Sequence, residues 1–275
     1  MNFQPITQDY NDEQMALLST HFWTRNEPNV AWRHAVSSVM ALPALRAFWP
    51  MSSVDYTVAS RARDVSGGGY HLSDNNTPLF GYDQLAPYAG FDGINQYLDR
   101  ADGGAANWAD ITGTETYVAP KAGGLTMGGW FYLVTLQTGG LIAKYRAAGG
   151  QRAYVLEYAQ APTDAFALLI SGGGGPPAVL ISTITPIVVD TWYFVVGRFT
   201  TATPEMDIFV NDTVTNLVPA VPASVFDSTA PFEIGSFDGA NYLDGRASMC
   251  WLCASALSDS IITALYHQQR KMYNV

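Results

Sequence analysis

From Leu45 onwards, short apolar segments separated by turn residues follow one another along the chain. Several of them alternate with the period of two that a strand requires. In one such segment Trp130 and Tyr132 share one face, and Phe131 and Leu133 share the other. Roughly a dozen segments of this kind occur without helical patterns between them, which predicts an all-β sandwich or barrel.

Helical patterns lie at both ends of this β region. One follows Pro28 and should end at Pro43, because proline breaks the helical hydrogen-bond ladder. Another starts at Ser258. The sequence shows no internal repeat and no clear linker, so we predict a short N-terminal helical arm over residues 1–44 and one sandwich domain over residues 45–275. The arm is interpreted either as a packed extension of the domain or as a contact to another subunit.

The last predicted strand runs from Ala247 to Cys253 and carries no charge on either face, so both faces must be covered. Its alternation predicts Ser248, Cys250 and Leu252 on one face and Ala247, Met249, Trp251 and Cys253 on the other. The second face is expected to point outward, beneath the C-terminal helix, the N-terminal arm (Met15, Leu18, Phe22) or both.

The two cysteines of the chain, Cys250 and Cys253, form a C-x-x-C string. Residues three apart on a strand point to opposite faces, so these thiols should not form a disulfide. A zinc site would need two more ligands at suitable spacing. We therefore predict two buried, unpaired thiols.

Composition narrows the classes of function. Charged residues make up only 14% of the chain, the net charge is −10 and the isoelectric point is about 4.6. Nucleic-acid binding, which needs clustered Lys and Arg, is not expected. No apolar stretch approaches the length of a membrane span, and the first residues lack the basic and apolar regions of a signal peptide.

Motifs distributed along the chain resemble one family. They are the strand LRAFWP, the turn ARDVSGGGYHL, the strand YAGFDGINQYLDR and the terminal segment FEIGSFDGANYLDGRASMCWLCASALS. In this order they resemble laminin G-like domains of the concanavalin A-like lectin/glucanase superfamily, over about residues 45–266. The resemblance implies a jelly-roll β-sandwich with a C-terminal helix. The family usually has an acidic residue just after Gly245, where this chain has Arg246.

Catalytic patterns are lacking. Glucanases of this superfamily use two carboxylates from a strand that reads Glu-x-Asp-x-x-Glu. The nearest match is Glu205 with Asp207, and the second Glu is missing, so we expect these two side chains to form the solvent face of an exposed strand. The four histidines have no ligand spacing, and no Gly-x-Ser-x-Gly elbow occurs. We therefore expect no enzyme activity.

Calcium is a possible ligand by resemblance, since many relatives bind Ca²⁺ through Asp and backbone carbonyls in loops at the sandwich rim. No cofactor is required by the sequence. The candidate ligands are the aspartates in Gly-rich turns: Asp64, Asp92, Asp238 and Asp244. The alternative is that each aspartate hydrogen-bonds its own turn.

Glycan binding in this fold would use aromatic rings at the rim, stacked on pyranose faces beside a few polar groups. The candidates in loop-like contexts are Tyr82, Tyr88, Trp108 and Tyr242. Aromatic residues of this frequency also serve as core residues.

With no signal-peptide pattern, no attached enzyme and a helical arm, the chain looks similar to the laminin G-like proteins encoded in bacteriophage genomes. This predicts a non-enzymatic component of the virion surface, as a head decoration or a tail or adhesion protein. Its expected partners are other virion proteins, a second copy bound through the arm, or a cell-surface glycan. A free carbohydrate-binding lectin is the second hypothesis, and a glycan hydrolase or lyase is the third.

Overall fold

The computed structural model describes residues 30–52, 62–83, 86–102, 109, 123–159, 164–184, 186–217 and 221–275. In these ranges the chain forms fifteen strands: β1 (Leu45–Trp49), β2 (Ser73–Asn75), β3 (Leu79–Asp83), β4 (Ala86–Asp92), β5 (Tyr97–Arg100), β6 (Gly124–Leu133), β7 (Gly139–Arg146), β8 (Gln151–Ala159), β9 (Ala165–Gly174), β10 (Ala178–Ile181), β11 (Trp192–Thr200), β12 (Glu205–Val210), β13 (Thr213–Leu217), β14 (Phe232–Ile234) and β15 (Asp244–Cys253). The helices described are α1 (Val30–Met40) and α2 (Asp259–Gln269), with 3-10 turns at Ala148–Gly150 and Arg270–Met272.

Within the described ranges these strands form two antiparallel sheets. The eight-stranded sheet has the order β13-β12-β11-β6-β15-β4-β3, with β1 also paired to β15. The seven-stranded sheet has the order β10-β9-β8-β7-β14-β5-β2. Side chains of both sheets share one core, which includes Phe131, Phe199, Tyr154 and Phe166. The predicted all-β sandwich with flanking helices is confirmed.

Helices cover the outer face of the eight-stranded sheet. A second hydrophobic cluster joins residues of α1 and α2 to Trp130, Met249 and Trp251 of the sheet. This confirms that the outward face of β15 is buried beneath a C-terminal helix. Residues 15, 18 and 22 of the predicted arm lie outside the described residues, and the domain division at residue 44 stays a prediction. In the parts of the chain described, neither helix has the length and apolarity needed to cross a membrane.

The face assignment along β15 was correct only beyond a β-bulge. Cys250 lies in the core between the sheets, whereas Cys253 lies beneath the helices, and both thiols are free. Met249 adopts a left-handed backbone (φ 50°), and the pairing of β15 with β6 shifts there. Before the shift, Ala247 faces the core and Ser248 faces outward, the reverse of the prediction. The bulge inserts one residue and so inverts the alternation.

Arg198 connects the sheet to α2. Its Nε donates to Asp207 Oδ2 at 2.8 Å, and its Nη1 donates to Asp259 Oδ1 at 2.5 Å and to the Leu257 carbonyl at 2.7 Å. Asp207 is buried. The expectation that it belongs to a solvent-exposed face was wrong, because the helical layer covers this part of the sheet.

Residues near the C-terminus attach the helical layer to the eight-stranded sheet. The Tyr273 ring lies 4.0 Å from the Trp130 ring and 5.0 Å from the Trp192 ring, centroid to centroid. The Tyr273 hydroxyl lies 2.7 Å from Ser248 Oγ, which is also 2.6 Å from the Pro87 carbonyl oxygen. This aromatic contact holds the end of the chain on the sheet.

We expect Tyr273→Ala to lower the free energy of unfolding by about 3–5 kcal/mol, because it leaves a cavity against two indole rings. Tyr273→Phe keeps the ring and loses the hydroxyl, so we expect it to cost about 1 kcal/mol. Urea unfolding of both variants measures the difference. A Tyr273→Ala variant as stable as Tyr273→Phe would contradict this role of the ring.

Candidate functional site

The carboxylate of Asp64 is used inside the fold. Asp64 is only 3% exposed. Its Oδ1 accepts from the backbone N–H of Phe48 at 3.0 Å and of Ser66 at 2.9 Å, and its Oδ2 accepts from the N–H of Tyr70 at 2.9 Å. Three N–H dipoles therefore point at the oxygens that a cation would need.

Asp92 is engaged in the same way. Its Oδ1 accepts from the backbone N–H of Ile94, Asn95 and Gln96 at 2.9, 3.1 and 3.2 Å. Partial burial raises the pKa of Asp92, but the backbone hydrogen bonds together outweigh it and leave the pKa below its usual value. Asp92 therefore hydrogen-bonds the backbone of its own turn, which is the alternative to calcium binding given above.

The other two aspartates also have protein partners. Asp238 Oδ1 accepts from the N–H of Ala147 at 2.8 Å, and Asp244 Oδ2 accepts from Thr135 Oγ1 at 2.8 Å. Asp244 lies directly opposite Asp92 in the β4–β15 pair. In the described ranges, no group of three or more His, Cys, Asp or Glu residues is placed to hold a metal. The four aspartates do not fit one ion, and the calcium hypothesis stays a prediction.

The predicted aromatic residues are not brought together. Tyr82, on the edge strand β3, is 61% exposed. Tyr88 is half-buried on β4 beneath the guanidinium of Arg246, which lies 4.6 Å from its ring centroid and 4.5 Å from that of Tyr132. Both belong to the eight-stranded sheet. Trp108 lies outside the described residues.

Tyr242 lies at the other sheet. Its ring is 5.9 Å from that of Tyr97 on β5. The turn that carries it, residues 235–243, contains left-handed backbone at Asp238 (φ 61°) and Asn241 (φ 45°). Such conformations are costly away from glycine, and they shape a turn that folds back over the seven-stranded sheet.

The outer face of the seven-stranded sheet has a floor of small and apolar side chains. Tyr154, Leu156 and Tyr158 of β8 point into the core, so the residues between them point outward. We call this surface the alanine face, and its floor consists of Ala143, Val155, Ala167 and Leu169, with Tyr145, Ala159 and Phe237 packed against it. No residue of α1 or α2 belongs to this cluster.

Glu157 stands in the middle of the alanine face. It lies on β8 between Gly140 of β7 and Ala167 of β9, and it is 8% exposed. Burial among hydrocarbon raises the pKa of Glu157 to about 7. In the part of the chain that the structure describes, its carboxyl has no hydrogen-bond or ion-pair partner.

A paired carboxylate borders the alanine face. Glu233 of β14 is 0% exposed and lies opposite Ala143 of β7. Arg146 binds both of its oxygens, with Nη1 at 2.9 Å from Oε2, and Ser236 Oγ donates to Oε2 at 3.1 Å. The hydrogen bond to Glu233 is the main cause that raises the pKa of Arg146. The two side chains are therefore fixed in place.

Polar side chains on β5 extend the alanine face. Asp99 lies opposite Glu233 and accepts from Asn75 Nδ2 at 3.0 Å through Oδ1. Its Oδ2 has no hydrogen bond to any described residue. Burial, followed by the charge of Asp99, raises the pKa of the neighbouring Tyr97. The Tyr97 and Tyr242 rings close this end of the surface.

The arrangement suits binding better than glycan hydrolysis, which needs an acid and a nucleophile or base flanking one bond. Asp99 and Glu233 lie on adjacent strands, about 5 Å apart in the sheet. Glu233, however, is buried and held by Arg146, so it is available neither as a nucleophile nor as an acid. Glu157 lies two strands from Glu233, about 10 Å away before any offset along the strands.

Sequence reasoning missed Glu157, Glu233, Arg146 and Asp99. One signal was present for Glu157. The strand RAYVLEYA places a single acidic residue at an outward position among apolar ones. Glu233 and Arg146 are far apart in sequence, so only the strand order β7-β14-β5 brings them together.

Comparisons with known proteins identify the fold. No family profile and no curated protein matches the sequence significantly. Among solved structures, the binding domain of Paraclostridial Mosquitocidal Protein 1 superposes with a TM-score of 0.60 at 9% identity, covering 83% of this chain and 52% of that one. The binding domain of Botulinum neurotoxin DC in complex with SialylT gives 0.57 at 9% identity, covering 84% and 52%. Trypanosoma rangeli sialidase in complex with sialic acid gives 0.58 at 13% identity, covering 89% and 38%.

The chain thus spans about half of these toxin binding domains and a smaller part of the sialidase. At such low identity the similarity establishes the sandwich fold alone.

Stability should depend on the ionisation of Glu157. Its pKa in the folded state, about 7, is above the usual 4.5. The neutral form therefore stabilises the fold fully below pH 4.5, and this contribution is lost as the pH rises through about 7. We expect Glu157→Gln, which stays neutral, to be more stable than the wild type at about pH 8, by up to about 3 kcal/mol, with little gain at about pH 4.

Urea unfolding at the two pH values measures this difference. Glu205→Gln is the matched control, because Glu205 is half-buried on the other sheet and hydrogen-bonded to Asn216. A gain for Glu157→Gln that is equal at both pH values would show that Glu157 does not titrate as described.

Proposed function

We propose that this chain is a non-catalytic binding module that holds a glycan on the alanine face. The observation that carries the proposal is Glu157, a nearly buried carboxyl without a partner among the described residues. Burial of most of this side chain disfavours its ionised form, which costs free energy at neutral pH and above. A ligand that donates a hydrogen bond to this carboxyl would recover that cost.

A sugar ring matches the surroundings of Glu157. Pyranose rings have apolar C–H faces and a rim of hydroxyl donors, and sites that bind them combine apolar surface with a few fixed polar groups. The rings of Tyr145 and Phe237 and the acceptor oxygens of Glu157 and Asp99 are the groups of the alanine face that a ligand would meet, since the floor beneath them is itself buried.

The same geometry supports a role without catalysis. Glu157 has the raised pKa of a general acid, but its nearest carboxylate partner on the β14 strand is bound by Arg146. Two of the structures with a similar fold are complexes with SialylT and with sialic acid. Those ligands belong to those proteins and indicate only that the fold is compatible with carbohydrate binding.

Glu157→Gln should weaken glycan binding at neutral pH at least tenfold, because it replaces a carboxylate that can accept at both oxygens by a neutral amide that accepts at one. A glycan array identifies the bound glycan, and calorimetric titration measures its affinity. Glu205→Gln should bind like the wild type. Since Glu157→Gln is expected to be more stable at about pH 8, loss of binding cannot come from unfolding. Unchanged affinity would contradict the assignment of the site.

The setting proposed for this module is the surface of a bacteriophage particle, as a head decoration or a tail or adhesion protein of the laminin G-like type. The proposal rests on the sequence resemblance and on the helical arm, through which the chain would contact other virion proteins or a second copy.

Mass spectrometry of purified particles should detect the chain, and deletion of residues 1–28 should abolish its incorporation while glycan binding persists. Glycan binding by a chain that never appears in particles would favour the free-lectin hypothesis instead. Polysaccharide turnover would favour a hydrolase or lyase.

A further inference from the structure

We infer that the alanine face selects glycans without negative charge and excludes sialylated, sulfated and uronic acid-containing ones. The inference rests on the proposed function and specifies its ligand class. It starts from Glu157, which is more than nine-tenths buried and points into the face without a partner among the described residues.

Carboxyl groups outnumber guanidinium groups on and around this face. The carboxyls are those of Glu157, Asp99, Glu233 and Asp238, and the guanidinium groups are those of Arg146 and Arg152. An acidic ligand would therefore meet net repulsion, which is stronger at a partly desolvated surface than in water. The chain as a whole, with a net charge of −10, adds repulsion in the same sense.

Of the two arginines, Arg146 is held by a carboxylate, whereas Arg152 is held only by neutral acceptors. Arg146 is bound to both oxygens of Glu233, and releasing it would leave a completely buried carboxylate with only the Ser236 hydroxyl as a partner. Arg152 lies at the margin of the face, where its Nε donates to the Tyr145 hydroxyl at 3.0 Å and its Nη1 to the Gly174 carbonyl at 3.4 Å.

The carboxyl oxygens on this face that make no hydrogen bond to a described residue are acceptors. Asp99 Oδ2 has no hydrogen bond to a described residue, Asp238 uses only Oδ1, and the Glu157 carboxyl is unpartnered in the same ranges. Asp99 and Glu157 lie three strands apart, about 14 Å. Hydroxyl groups satisfy such acceptors, and a protonated amine satisfies them with an opposite charge. A carboxylate or sulfate has no donor for Asp99 or Asp238, and only the protonated form of Glu157 could donate to it.

The test compares matched glycans that differ in charge. Titrations use lactose against 3′-sialyllactose, N-acetylchitohexaose against chitohexaose, and an array with neutral, amine-bearing and acidic members. We expect each bound neutral glycan to bind at least tenfold more tightly than its acidic derivative at about 0.05 M salt, with a gap that shrinks at about 0.5 M as charges are screened. Tighter binding of amine-bearing glycans would support the inference.

Two variants test whether the selectivity comes from charges on the alanine face or from the net charge of the whole chain. Asp99→Asn should narrow the gap between neutral and acidic glycans several-fold, whereas Asp212→Asn, at the β12–β13 turn of the other sheet, should leave it unchanged. An equal effect of both variants would assign the selectivity to the net charge and overturn the inference.

The outcomes also distinguish this inference from the proposed function. Glycan binding without charge discrimination, or preferred binding of acidic glycans, overturns the inference and leaves the binding module intact. Failure to bind any glycan on the array or in titration overturns both.

Discussion

The two-sided burial of the eight-stranded sheet is the constraint on which the rest of the structure depends. Its central strands β6, β11 and β15 carry large apolar side chains on both faces, so one face packs on the seven-stranded sheet and the other needs a separate cover. The helices α1 and α2 provide that cover. Because the helices are used there, neither contributes to the hydrophobic cluster on the outer face of the seven-stranded sheet.

The helical layer is held by specific polar and aromatic contacts as well as by apolar burial. Arg198 bridges the buried Asp207 and the first turn of α2. Trp130 donates to Gln269 Oε1 at 2.7 Å and stacks on Tyr273. Short helices are marginal in isolation, and these contacts stabilise them in one position. The helices therefore cover the outer face of the eight-stranded sheet. The outer face of the seven-stranded sheet carries a different set of side chains, those of the alanine face.

That second face combines two kinds of buried carboxyl. The burial of the Glu233 carboxylate is compensated by its ion pair with Arg146. Glu157 has no such partner among the described residues, and it lies in an apolar floor that raises its pKa. Proteins keep such locally unfavourable groups mainly at sites with a function. The contrast between the two glutamates is the physical reason for proposing a ligand site at Glu157.

The sequence by itself determined the sandwich, most strand faces, the helices at 30–40 and 259–269, and the separation of Cys250 from Cys253. Each follows from periodicity, and periodicity is local. It did not determine the bulge at Met249, which inverts Ala247 and Ser248, or the burial of Asp207 beneath α2. It also did not show that the candidate rings of Tyr82 and Tyr88 belong to one sheet and that of Tyr242 lies at the other. The alanine face arises only when β7, β8, β9 and β14 become neighbours, because strand order is decided by long-range pairing that no local pattern encodes.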